Sequence, residues 1–208
     1  MTSLTLPGVP FPLAPDGEPA CAYEYTDGVL RLTGAALTDL FVDPAGTAGE
    51  LPSAGRLVGL PPDGDFSLST RVTVDFGSIF DAGVLLLHAS ERRWAKLCFE
   101  YSPQKLPTAV TVVTRGTSDD SNSFEVEGNS LWLRITRSGR SWAFHASTDG
   151  SWWKLLRYFS LGGGEPAGAG DDVSVGFLAQ SPTGRSCTAT FEQIAFTAGA
   201  PADLRDGS

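Results

Sequence analysis

Residues 66–76 read FSLSTRVTVDF, in which Phe66, Leu68, Val72, Val74 and Phe76 alternate with Ser67, Ser69, Arg71, Thr73 and Asp75. Only Thr70 interrupts the apolar side. A period of two sends successive side chains to opposite faces, so this stretch reads as a half-buried antiparallel strand. β-Rich runs recur at residues 29–33, 83–89, 93–101, 109–115, 130–137, 141–148, 153–159, 173–180 and 187–196. Most are separated by turn signals, such as RSGR at 137–140 and TDG at 148–150. Short strands at regular spacing predict an all-β sandwich or barrel.

The hairpin over 130–148 is the clearest local unit, because Ser138-Gly139 falls between two aromatic-rich alternating runs. With 24 Gly and 14 Pro in 208 residues, turns outweigh long helices, and the length suits one domain with a core that needs no disulfide or metal. One short helical turn is expected at 35–41. Residues 162–170 (GGGEPAGAG) read as a flexible loop and not a phosphate cradle, since no amphipathic helix follows. The polar stretch 198–208 is expected to fray, leaving a core of about 15–197.

Charge excludes some functions. Fifteen Lys and Arg against 24 Asp and Glu give a net charge of -9, so neither nucleic acid nor an anionic membrane is an expected partner. No apolar run approaches the roughly 20 residues that span a bilayer. Residues 1–11 lack the basic and apolar regions of a signal peptide, and the three cysteines, Cys21, Cys98 and Cys187, read as reduced thiols. The expectation is a cytoplasmic protein.

Motifs for the common catalytic chemistries are missing: there is no HExxH, GxSxG, Walker loop or CxxC. His88 and His145 stand too far apart for a local metal motif, so no metal and no cofactor is expected. Cys98 on a sheet face reads as an inert thiol.

The candidate site comes from alternation. On 93–101 it puts Trp94, Lys96, Cys98 and Glu100 on one face and Ala95, Leu97, Phe99 and Tyr101 on the core face. On 130–137 the core set Leu131, Leu133 and Ile135 leaves Trp132, Arg134 and Thr136 pointing away. Tryptophan beside charged groups suits a polyhydroxylated ligand, whose C–H faces stack on the ring while its hydroxyls bond the charges. The competing structural reading packs both tryptophans under a loop and pairs Lys96 with Glu100. Ser118-Asp119-Asp120-Ser121 reads as a solvated Asx turn or a loop that closes on a ligand, and 147–153 as a tight hairpin.

Residues 80–123 and 131–159 resemble the DUF1349 family, a concanavalin A-like sandwich group with a fungal "regulation of enolase" member. The motifs are Trp94-x-Lys96-x-x-x-Glu100, Thr114 with Ser118-Asp119, the LRITR run at 133–137 and the turn from Ser147 to Trp153. Upstream, Glu18-Pro19, Thr38-Asp39-Leu40-Phe41 and Asp65-Phe66 look like further family elements, with Gly17 and Phe41 replacing an Asn and a Trp. The resemblance implies a jelly roll of two curved antiparallel sheets with a concave face. It implies no activity, and the E-x-D-x-x-E strand of sandwich-fold glucanases is absent.

The leading expectation is a non-catalytic module that binds a carbohydrate or small polar ligand on the concave face. Its candidate residues are Trp94, Lys96, Glu100, Thr114, Ser118, Asp119, Trp132, Arg134, Asp39 and Phe41. One alternative is a glycan-active enzyme with Glu100 as acid or base and Asp119 or Asp39 as partner. The other is a regulatory protein-interaction domain, with a protein partner or a homodimer.

Overall fold

The computed structural model describes residues 3–47, 49, 51, 53–162 and 172–208, so most of the loop expected at 162–170 lies outside the described residues. The chain forms β1 (Ala14–Asp16), β2 (Ala22–Thr26), β3 (Val29–Ala35), β4 (Arg56–Gly59), β5 (Phe66–Val74), β6 (Ala82–Ser90) and β7 (Arg93–Tyr101). It continues with β8 (Pro107–Arg115), β9 (Thr117–Glu125), β10 (Ser130–Ser138), β11 (Ser141–Ser147), β12 (Lys154–Phe159), β13 (Ser174–Gln180) and β14 (Ser186–Ala198). Two antiparallel sheets of seven strands result, ordered β1-β4-β13-β6-β7-β8-β9 and β12-β11-β10-β5-β14-β3-β2.

The predicted sandwich is the observed one. Leu68, Val72 and Val74 from the second sheet meet Leu85, Leu97, Phe99 and Phe177 from the first in one core. Alternation explains why: each strand donates its apolar side to the gap between sheets. Aromatic edges lock this layer, with Phe177 and Phe191 at 5.0 Å between ring centroids and Phe66 stacked on Phe196 at the same distance.

Three local expectations are corrected. Residues 35–41 form no helical turn: Ala36 and Thr38 each bridge to Ser181, which draws the chain out as an extended crossing segment. Residues 118–121 belong to strand β9, because Val113 and Val112 on β8 pair with Asp119 and Asp120. Residues 199–208 do not fray. His145 Nε2 donates to the carbonyl of Leu204 at 2.7 Å, and Arg134 donates to that of Gly207 at 2.8 Å, holding the segment against β10 and β11.

Gly176 fits where only a glycine does. A Cβ there would overlap the Leu57 carbonyl and press on Val58 in the neighbouring strand, and backbone cannot step aside as a side chain can. Gly176→Ala is therefore expected to destabilise the protein by about 1–3 kcal/mol, read as a lower midpoint in urea unfolding.

Candidate functional site

The outer face of the first sheet carries a second hydrophobic layer. Val84, Leu86, Trp94, Cys98, Val110, Val112 and Leu178 pack there under Leu40, with Phe41 and Val42 against them. The cover is the segment at 36–42, which runs across the sheet. At one end Leu37 N–H donates to Ser181 O at 2.9 Å. At the other, Val42 N–H donates to Ser118 Oγ and Ser118 N–H returns a bond to Val42 O, each at 2.9 Å. Thr114 and Ser118 share a buried hydroxyl contact of 2.8 Å that fixes this second anchor. The two residues thus clamp the crossing segment.

Lys96 lies beneath the segment. It is 2% exposed, and its ammonium donates to Asp39 Oδ1 at 3.0 Å and Gln180 Oε1 at 2.9 Å. Burial is the largest influence and opposes the charge, but the Asp39 carboxylate together with smaller contributions from Cys98 and Glu100 leaves the Lys96 pKa above its ordinary value. Asp39 Oδ1 also accepts the N–H of Leu40 at 2.7 Å, so one carboxylate ties the ammonium to the covering backbone.

The expected Lys96–Glu100 pair does not form. They stand four positions apart, about 13 Å along a strand, and the lysine turns to Asp39 instead. Glu100 keeps a half-buried carboxyl to which no side chain among the described residues bonds. Burial pushes its pKa up to about 8, against the pull of Lys96 and with the charges of Asp39 and Asp120 adding to the rise. Of the two neighbouring aspartates, Asp120 acts on Glu100, whereas Asp119 turns to Arg157 on β12 at 2.7 Å. Pairing explains the difference, since Asp120 sits opposite the outward Val112 and Asp119 opposite the core residue Val113. Burial drives the Cys98 thiol upward as well, and it stays a thiol.

Trp132 and Arg134 do not join Trp94. They lie on β10 in the second sheet, and their strand neighbours Leu131 and Leu133 fill the core, so they emerge on the opposite outer face. His88 and His145 likewise stand in different sheets, on β6 and β11.

Beside the crossing segment opens a cleft of about 590 Å³. Asp39, Phe41 and Trp94 border it, joined by Asp16, Arg56 and His88. Arg56 grips Asp16 through Nε at 2.7 Å and Nη2 at 2.6 Å, and its Nη1 donates to Ser53 Oγ at 2.9 Å. His88 Nδ1 stands 4.0 Å from Asp16, and its buried Nε2 has no hydrogen-bond partner among the described residues. Burial, with the nearby Arg56 charge, lowers the His88 pKa, which keeps the imidazole neutral. Sequence reading missed His88, Arg56 and Asp16 as a group. β1 is three residues long, and nothing in the spacing of residues 16, 56 and 88 announces that they meet. Trp94 itself is 1% exposed, so it offers the cleft an edge and not an open stacking face.

Residues 17–199 match the profile of a family described as "Protein of unknown function (DUF1349)". The chain is 25% identical over 146 residues to "Regulation of enolase protein 1" of Saccharomyces cerevisiae, covering 70% of each. A crystal structure of a functionally unknown protein from the same yeast superposes with a TM-score of 0.77 at 22% identity, over 91% of this chain and 97% of that one. The GH43 protein BlXynB from Bacillus licheniformis superposes with a TM-score of 0.69 at 17% identity, over 90% of this chain but 36% of the other. These last two likenesses show the sandwich fold.

Proposed function

The chain belongs to the DUF1349 family, and from that premise we propose that it is a non-catalytic binding domain that takes a carbohydrate or sugar-like metabolite in the cleft beside the crossing segment. The cleft carries the reading: charges of both signs, Asp16, Arg56 and Asp39, stand with the rings of Phe41 and Trp94 around about 590 Å³. A sugar needs that combination, because its hydroxyls both donate and accept while its C–H face seeks apolar cover. The His88 ring, 15% exposed at the border of the cleft, stands within reach of a ligand there. The name of the yeast relative speaks of regulation and not of a reaction, which agrees with a binding role. The reading takes the protein as cytoplasmic, which its three free, buried cysteines support.

A calorimetric screen of the folded protein against glycans and sugar phosphates tests the proposal. Saturable binding is expected, weakened at least tenfold by His88→Phe with the melting temperature preserved. No saturable binding to any member of the panel would overturn it.

One observation favours a second reading, that of a glycan-active enzyme. A carboxyl with its pKa near 8 is protonated at neutral pH, the state a general acid needs, and Asp120 or Asp39 would be its partner. Hydrolysis of a glycan by the wild type, abolished in Glu100→Gln, would decide for it.

A further inference from the structure

The segment at 199–208 lies over a guanidinium that has no counter-charge. Arg134 stacks on the Trp153 ring at 4.3 Å from its centroid, and no acid among the described residues pairs with it. Its Nη2 donates to the Gly207 carbonyl at 2.8 Å, while its buried Nε–H has no partner among the described residues. Nε–H and Nη2–H point from the same edge of the guanidinium, the edge that grips two oxygens of a carboxylate or phosphate side by side. A single peptide oxygen fills half of that edge. Next to it, Arg134 pairs in register with His145, whose ring is wholly buried and whose Nε2–H donates to the Leu204 carbonyl at 2.7 Å.

Three N–H groups therefore converge on acceptor oxygens, and the segment at 199–208 supplies two neutral ones. From this geometry we propose that Arg134 and His145 form an oxyanion-binding site on the outer face of the second sheet, with the carbonyls of Leu204 and Gly207 holding the positions of ligand oxygens. The ligand carries a carboxylate or a phosphate: two of its oxygens take Nε–H and Nη2–H of Arg134, and one accepts from His145 Nε2–H. Trp153 holds the guanidinium plane by stacking, so the fork stays oriented when the segment lifts. A cavity of about 290 Å³ bounded by Ser138, Tyr158 and Leu204 lies against the covering segment. Burial without an anion lowers the Arg134 pKa to about 10, which agrees with a cation that lacks its counter-charge. This site is separate from the cleft on the first sheet and stands or falls apart from it.

The covering segment competes with the ligand, so loosening it exposes the site. Gly207 has φ +81°, and a Cβ there would come within 2.8 Å of Trp153 Cβ and 3.0 Å of Arg134 Nη2. Gly207→Val in the full chain thus lifts that end of the segment. Inorganic phosphate and glucuronate, with glucose as the neutral control, are titrated against wild type, Gly207→Val and Arg134→Met. Calorimetry and the indole N–H resonance of Trp153 are the readouts.

Saturable binding of at least one oxyanion is expected, at least tenfold tighter in Gly207→Val and lost in Arg134→Met. Preference for phosphate assigns a phosphate ester, and preference for glucuronate an acidic sugar or other carboxylate. His88→Phe should leave both titrations unchanged. No saturable response to either anion in folded Gly207→Val, an equal response in Arg134→Met, or glucose binding as well as glucuronate would each overturn the proposal. Should Gly207→Val not fold, thermal stabilisation of wild type by phosphate or glucuronate takes its place. Absence of that stabilisation, or its persistence in Arg134→Met, overturns the proposal equally.

Discussion

Asp39→Ala is expected to destabilise the protein by about 3–5 kcal/mol, because it strands the buried Lys96 ammonium with Gln180 as its one remaining acceptor among the described residues. The loss exceeds that of an ordinary surface ion pair, since Lys96 is 2% exposed and Asp39 17%, and water cannot take over the charge. Leu40 N–H loses its acceptor in the same change, which loosens the residue that caps the outer hydrophobic layer. Adding Lys96→Met should restore most of the stability, because a methionine fills the space of the lysine stem and leaves no charge to satisfy. Urea unfolding of wild type, both single variants and the double variant measures the coupling. An Asp39→Ala protein as stable as wild type would show that water reaches the ammonium.

Glu100→Gln is expected to act in the opposite direction, with a gain that grows as pH rises from about 4.5 and is full above about 8. In the folded protein the Glu100 carboxyl stays protonated up to about pH 8, while in the unfolded chain it ionises near its ordinary value of 4.5. The unfolded state therefore releases its proton first as pH rises, and stability falls between those two values. The stabilisation is complete below about 4.5 and gone above about 8, a swing on the order of 4 kcal/mol. Glutamine cannot ionise, so the variant should match wild type near pH 4.5 and melt well above it at pH 9. Melting curves across that range check the prediction. A Glu100→Gln protein that melts lower at pH 9 would mean that the carboxylate has a partner such as Lys96 after all.

Strands were legible where apolar and polar side chains alternate: β5 does so with its polar side partly exposed, whereas β7 alternates in sequence although both of its faces are buried. β9 was not, because TSDDSNSFE is an edge strand exposed along most of its length and carries no apolar side to detect. β2, with AYEYT almost wholly exposed at the other sheet's edge, hid for the same reason. The site divides along similar lines. Alternation told which face Trp94, Lys96, Cys98 and Glu100 share, because that is a property of one strand. It could not tell that Trp132 and Arg134 face away from the core on the other sheet, since pointing outward has two meanings in a sandwich. Nor could it find Asp39 as the partner of Lys96: the two are 57 residues apart and meet only because a loop crosses the sheet.

The strand order has a consequence for how the chain comes to be folded as it is made. β13 lies between β4 and β6, and β14 lies between β5 and β3, so each sheet is divided until its last-made strand arrives. Before residues 174–198 leave the ribosome, β4 and β6 each present an unpaired edge in one half-sheet, and β3 and β5 do so in the other. Local hairpins such as β10–β11 can form early, but neither sheet can close from them. The nascent chain thus carries four open strand edges until residues 174–198 emerge, and completion of both layers is compressed into that stretch.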